Sequence, residues 1–271
     1  MTKKISVALV GAGSMGGALL RGWIERRIID CAASAIFDPA PAAAIIDAAK
    51  EHGVAVNPPI GASRFDALVV AVKPQAAAEV LPKFAVVVGG AVSISVMAGK
   101  SVAAIGAALP QAKKIVRAMP NLPAAVGAGV TALYASSNIG AGDRAMAEAL
   151  MRAVGEVIWV ESEDAIDAVT AVSGSGPAYF FLLGEALAEA GREVGLEAAA
   201  AQKLARATLI GAGAYAHSDA RSLSDLRRAV TSPGGTTEAA LKALDGADKA
   251  IRRLMIMAVE AAKKRAGELT K

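Results

Sequence analysis

The sequence predicts an α/β protein in two parts, a parallel-sheet domain over residues 1–161 and an all-helical domain over residues 162–271. Three observations carry this. Short β-rich runs alternate with helical stretches up to about residue 160, the first run feeds a glycine motif, and strand-like runs stop after Glu161. A chain of 271 residues fits one large domain or two small ones.

The expected elements run in order. Residues 5–10 read as a buried strand, followed by a helix over 15–27, a strand over 35–37 and a helix over 40–52. Further strands are expected at 54–56, 67–72, 91–96 and 114–117, with helical segments between several of them. Strands separated by helices imply right-handed crossovers and a mostly parallel sheet. Residues 129–134 and 156–160 read as two more strands around a helix over 142–154. Apolar residues then recur at helical spacing through 178–193, 198–215, 223–230, 237–244 and 249–266. These faces are more than a small helical domain can cover alone. The second part is therefore expected to form an interface between copies of the chain, with Gly211 and Gly213 allowing close helix approach.

Composition narrows the classes. Hydrophobic residues make up 54% and aromatics 4%, so the apolar excess is aliphatic and suits packed helices and buried parallel strands. A membrane-spanning helix needs about 20 apolar residues. The uncharged stretch 84–99 is too short, and 118–142 is broken by Pro120, Asn121 and Pro123, so no membrane partner is expected. Met1-Thr2-Lys3-Lys4 leads straight into the first strand and does not read as a signal peptide, which makes a cytoplasmic location the default. The net charge is +4 with Lys and Arg scattered, so no nucleic-acid partner is expected. A single cysteine, Cys31, excludes an intrachain disulfide and any multi-cysteine metal site, and it reads as a small hydrophobe. No metal is expected.

The first strand runs into Gly11-Ala12-Gly13-Ser14-Met15-Gly16, a G-x-G-x-x-G in the place that dinucleotide binding requires, after a strand and opening a helix. Gly11 permits the tight turn, Gly13 lets the backbone approach a pyrophosphate, and Gly16 lets the helix lie close to the strand. Free N–H groups and the helix dipole then favour the anion. Asp38 lies 27 residues after Gly11, where an acidic residue bonds a ribose 2′-hydroxyl and disfavours a 2′-phosphate. With Pro39 next and no Arg nearby, this tilts the site toward NADH over NADPH; the other use of Asp before Pro is to form a turn. Ala71-Val72-Lys73-Pro74 and Met119-Pro120-Asn121 close two later strands, at the sheet edge where open α/β folds bind ligands. Lys73 is either a cofactor contact or an exposed loop lysine. Asn121 either donates to the nicotinamide half or forms the turn.

Ser232-Pro233-Gly234-Gly235-Thr236-Thr237 is a Gly-rich turn feeding a helix expected to start near Thr237. It reads as a nest of N–H groups and hydroxyls for a small carboxylate, or as an ordinary capped helix start. The two histidines, His52 and His217, fall near helix ends and suit structural or solvated roles. There is no Ser-His-Asp set.

Several segments resemble the pyrroline-5-carboxylate reductase family. They are Gly11 to Gly16, Ala71 to Pro74, Arg117 to Asn121, Ser173-Gly174-Ser175-Gly176-Pro177-Ala178-Tyr179, and LRRAVTSPGGTTEAALKALD over residues 226–245. They span nearly the whole chain in order, and the last two are the specific ones. The resemblance implies an N-terminal Rossmann-type domain and a C-terminal helical dimerisation domain. It also implies a cyclic imine acid as substrate, held between a nicotinamide and the C-terminal motif near a dimer partner. On it, Thr237 is the expected catalytic hydroxyl, bonding the ring nitrogen, while Ser232, Gly234, Gly235, Thr236 and Thr237 bind the substrate. Reducing a protonated C=N bond needs little acid help, so orientation against the cofactor carries much of the rate. Ser175 and Pro177 open a helix, with Gly174 and Gly176 there for packing or to shape the nicotinamide pocket.

Two alternatives remain. A β-hydroxyacid dehydrogenase shares the plan but carries a lysine in the helix after its Gly-rich turn, where residues 177–182 here hold none. A non-catalytic nicotinamide sensor has no need of the Pro-Gly-Gly-Thr-Thr segment.

Overall fold

A computed structural model describes residues 4–61 and 64–270. The first unit contains β1 (Val7–Val10), α1 (Ser14–Glu25), β2 (Ala35–Phe37), α2 (Ala43–His52), β3 (Ala55–Val56), β4 (Ala67–Val70) and the short α3 (Ala77–Val80). It continues with β5 (Val92–Ser95), α4 (Val102–Ala108), β6 (Ile115–Met119), β7 (Gly129–Ala135), α5 (Ala141–Arg152), β8 (Gly155–Trp159) and α6 (Asp164–Val169). The eight strands form one sheet in the order β3-β2-β1-β4-β5-β6-β7-β8. Chain order reverses between β1 and β4, so the end of β1 is the crevice where such sheets bind ligands.

The strands are short and apolar because both faces are covered. β1 and β4 are buried at every position. On one face Leu19, Trp23, Leu150 and Met151 pack against Leu9, Val69 and Ile94. On the other, Phe84, Ile105 and Leu109 pack against Val10, Leu68 and Val70. Trp23 is fully buried, and its indole N–H donates to the Leu150 carbonyl at 2.7 Å, so the ring's one polar group stays paired.

Differences from the expected elements have local causes. The first strand begins at Val7 because the N–H of Ser6 donates to the Asp66 carboxylate at 2.9 Å instead of entering the ladder. The second helix begins at Ala43, since Pro41 disfavours helical geometry at Ala40 and the N-cap Ala42 is extended. β7 runs antiparallel to β6, while every other pairing is parallel. The link from Met119 to Gly129 holds only a 3-10 turn over Leu122–Val126, too short for a crossover back to the sheet's start.

The compact units part at Gly174 and Ser175, later than the boundary at 161, and residues 262–270 group with the first unit. The reason is α6 and the π-turn Thr170–Gly174 that follows it: Glu163 and Asp167 pair with the buried Arg117 of β6, at 3.2 and 3.5 Å.

The second unit is helical: α7 (Gly176–Glu193), α8 (Ala198–Ser218), α9 (Leu223–Ala229), α10 (Thr236–Asp245) and most of α11 (Ala250–Thr270). Pro177 sits in the first turn of α7, Glu197 caps α8 and Ser222 caps α9. Large apolar side chains stay uncovered: Leu182 is 65% exposed, Phe180 60% and Ile210 63%. By length and composition alone, the helical run Asp164–Glu193 is apolar enough to cross a membrane. Its exposed face is equally that of a helix whose cover is another protein surface.

Candidate functional site

The end of β1 builds an anion cradle. Gly11 has φ +91, and a Cβ there would lie 2.7 Å from the Ala71 carbonyl group, so only glycine fits between the strands. A Cβ at Gly16 would run into the Gly11 carbonyl oxygen. Gly13 differs: a Cβ there would meet nothing within 4 Å, and the residue is exposed beside a cavity of about 650 Å³. Its missing side chain is therefore not explained by packing inside the chain; it leaves room for a ligand. The N–H groups of Gly13, Ser14, Met15 and Gly16 have no acceptor among the described residues. These open donors at a helix N-terminus fit a pyrophosphate.

Asp38 is tied into this loop. Its Oδ2 accepts the Ala12 N–H at 2.7 Å and its Oδ1 accepts the Ala40 N–H at 2.9 Å, so the turn-forming use is realised and extended to the glycine loop. Asn57 holds the same residue by its backbone. Its Oδ1 accepts the Asp38 N–H at 2.9 Å, and its Nδ2 donates to the Asp38 carbonyl at 2.8 Å. Nothing periodic marks Asn57; a lone Asn before two prolines, in the left-handed region at φ 49, was the available signal.

Val72 and Lys73 line the cavity beside Gly11 and Gly13, with Lys73 exposed and Pro74 opening a 3-10 turn. Ala71 lies against Gly11, and its N–H donates to the Val10 carbonyl at 2.7 Å. The Met119-Pro120-Asn121 segment is internal. The Asn121 side chain accepts the Val130 N–H at 2.9 Å and donates to the Ser173 carbonyl at 3.1 Å, while Met119 packs on Gly174. Asn121 thus locks the end of β6 to β7 and to the π-turn. Sequence reasoning read Gly174 of that turn as a packing or pocket-shaping glycine and gave no role to Arg117.

In the second unit, α10 begins at Thr236, one residue before the expected start, with Gly235 as its N-cap. The nest is smaller than expected. The Gly234 N–H is taken by Glu238 Oε2 at 2.8 Å and the Gly235 N–H by the Ser232 carbonyl at 3.0 Å. The N–H groups of Thr236, Thr237 and Glu238 have no acceptor among the described residues, and the Thr237 side chain is half-buried. Gly234 needs its φ of +72 to make the turn. The available donors are therefore the first-turn N–H groups and the two threonine hydroxyls. The Glu238 capping contact was legible as an acid in the first helical turn, four residues after the glycine it satisfies.

Comparison with known proteins decides what these parts belong to. A family described as pyrroline-5-carboxylate reductase dimerisation matches residues 163–269, and one described as NADP oxidoreductase coenzyme F420-dependent matches residues 6–99. The curated pyrroline-5-carboxylate reductase of Pseudomonas aeruginosa is 38% identical, over 97% of this chain and 96% of its own length. The chain belongs to the pyrroline-5-carboxylate reductase family. The Synechocystis reductase is 40% identical over 98% of this chain and 99% of its own. The reductase structure from Coxiella burnetii has a TM-score of 0.90 at 38% identity, covering 99% of this chain and all of that one. The Plasmodium falciparum enzyme, solved with NADP bound, has a TM-score of 0.80 at 26% identity over 98% of each chain. Family membership removes the dehydrogenase and sensor alternatives, and the dimerisation segment makes self-association part of the plan.

Proposed function

We propose that the chain reduces the C=N bond of 1-pyrroline-5-carboxylate to give L-proline, the last step of proline biosynthesis, using NADPH or NADH. It would work in the cytoplasm as a homodimer or larger homo-oligomer. Residues 1–161 serve the cofactor and 162–271 serve substrate and assembly. The observation that carries this reading is the pair of open donor sets: one at the Gly11–Gly16 helix start, the other at the Thr236–Thr237 helix start. The first suits a pyrophosphate and the second a small carboxylate.

The cofactor, when bound, supplies the hydride, which adds to the imine carbon. The open N–H groups of Gly13, Ser14, Met15 and Gly16 would hold its pyrophosphate, with Gly11 and Ala12 shaping the loop and Asp38 and the segment 71–74 along the cavity. Met119, Pro120 and Asn121 shape the far end by fixing the strand terminus. Thr237 Oγ1 bonds the ring nitrogen, and the N–H groups of Thr236 and Thr237 hold the carboxylate, with the Ser232 hydroxyl and the Gly234-Gly235 turn shaping the nest. The imine nitrogen takes its proton from solvent, and hydride plus that proton give the proline amine.

The test is oxidation of NADH and NADPH by the purified protein with 1-pyrroline-5-carboxylate, alongside a β-hydroxyacid control. Imine-dependent oxidation with proline formed in equal amount supports the reading. Oxidation only with the hydroxyacid couple, or cofactor binding without turnover, rejects it.

A further inference from the structure

The cavity beside Gly11 and Gly13 carries its charges in a particular arrangement. Two carboxylates line it, Asp38 and Glu79, and two ammonium groups, Lys73 and Lys83. Lys83 is paired with Glu79 at 3.4 Å. Lys73 follows β4, and the sheet order β2-β1-β4 puts that strand two spacings, or roughly 10 Å, from β2. Among the described residues, Asp38 is the charged side chain that the end of β2 itself brings to the cavity. The residues that follow it, Pro39, Ala40, Pro41, Ala42 and Ala43, are all uncharged. Arg64 lines a different cavity, with Asp66 and Asp143.

The Asp38 carboxylate is also pinned. One oxygen holds the Ala12 N–H and the other the Ala40 N–H. Asn57 brackets the Asp38 N–H and C=O from the next strand. A flexible surface carboxylate can swing away from an incoming anion. This one cannot do so without releasing two backbone donors, one of them in the pyrophosphate loop. Each carboxylate oxygen still has a lone pair for a ribose hydroxyl.

Resting on the dinucleotide reading above, we propose that the Asp38–Asn57 clasp makes this chain select NADH over NADPH, by fixing a negative charge at the ribose end of the site. A 2′-phosphate carries about −1.5 to −2 charges and meets that fixed charge, and among the described residues the end of β2 itself supplies no cation to offset it. The 2′-hydroxyl finds an acceptor.

The test is equilibrium binding to the full-length protein at one fixed ionic strength, by fluorescence titration of NADH and NADPH. Competition by AMP and by adenosine 2′,5′-bisphosphate, which share the 5′-phosphate, isolates the ribose end. Wild type is expected to bind NADH at least about tenfold more tightly, and AMP more tightly than its 2′-phosphate counterpart. In Asp38→Ser both dinucleotides bind more weakly, because the Ala12 brace is gone, but the NADH preference falls by about tenfold. Asp38→Asn keeps the size and removes the charge, and its preference falls too. Equal or tighter NADPH binding by wild type overturns the proposal, as does an unchanged ratio in a folded variant. If Asp38→Ser does not fold, the wild-type ratio and the AMP pair still decide. NADPH preference with imine reduction intact sinks this proposal alone, whereas absence of imine reduction with either cofactor sinks the functional reading.

Discussion

Three glycines of one motif separate packing from ligand binding. Gly11 is needed by the backbone and by its neighbour Ala71, so Gly11→Ala is expected to cost more than about 1 kcal/mol of stability by chemical denaturation. Gly13→Ala puts its methyl into open space at a negative φ. Its stability should stay within about 0.5 kcal/mol of wild type, while dinucleotide affinity falls. If both variants lose stability equally and Gly13→Ala binds cofactor normally, the cradle is only a turn. Thr237 gives the matching test on the substrate side. Thr237→Val keeps the shape and removes the hydroxyl. A hydrogen bond to a charged group is worth about 1.5–3 kcal/mol, or roughly ten- to a hundredfold in kcat/KM for the imine acid. Cofactor Kd should not move. Unchanged kinetics in the folded variant would reduce Thr237 to a helix-start residue. Some site residues were readable only in part. Gly11, Gly13 and Gly16 form a spaced motif with a steric reason at each position. Asn57, the brace from Asp38 to Ala12 and the Asn121 bracket are side-chain-to-backbone bonds between distant segments, and no spacing in the sequence announces them.

Elements were legible wherever a repeating pattern met a covered face. β1, β4 and β5 are runs buried on both sides, and α7, α8 and α11 show long helical periodicity. The antiparallel sense of β7 was not legible, because it depends on the length of a connection whose prolines and glycines suit several paths. The π-turn Thr170–Gly174 was missed for a similar reason: its wide turn is held by Asn121 from another strand. Electrostatics joins the short helices of the second unit. Asp245, at the end of α10, accepts Arg252 Nε at 2.7 and 2.8 Å and lies 3.6 Å from Arg227 of α9. The hydrogen bond from Arg252, and then its charge and that of Arg227, hold the Asp245 carboxyl below the usual carboxylate range. A depressed carboxyl stabilises the fold above its unfolded pKa of about 3.9 and loses that contribution as pH falls through the lower folded value. Asp245→Asn should therefore lower Tm at pH 7, and the gap from wild type should close below about pH 4. A gap that persists in acid would mean that the pair acts through shape instead of charge. High salt should narrow the gap at pH 7, since both arginines are exposed to solvent.

At the scale of the whole molecule, a chain with 54% hydrophobic residues leaves the apolar faces of α7 and α8 uncovered. A second copy of the chain is the cover that the family's dimerisation segment implies. Light scattering should give at least a dimer at micromolar concentration. Leu182→Glu, which puts a charge on the exposed face of α7, should shift the mass toward monomer and reduce imine reduction. A fully active monomer would refute the role of this unit in assembly. The two-part plan itself was visible in the change of rhythm after Glu161, but the compact units part later, because the Arg117 ion pairs tie residues 163–174 to the sheet. The central claim is that hydride passes from a reduced nicotinamide to the carbon of a cyclic imine. Its most direct test is a single incubation with NADH deuterated at the transferring position of the nicotinamide ring, followed by mass spectrometry of the amino-acid product. The account predicts proline one mass unit heavier, with the deuterium on the ring carbon next to nitrogen and away from the carboxyl-bearing carbon. Unlabelled proline, or oxidised NADH with no proline at all, would contradict it.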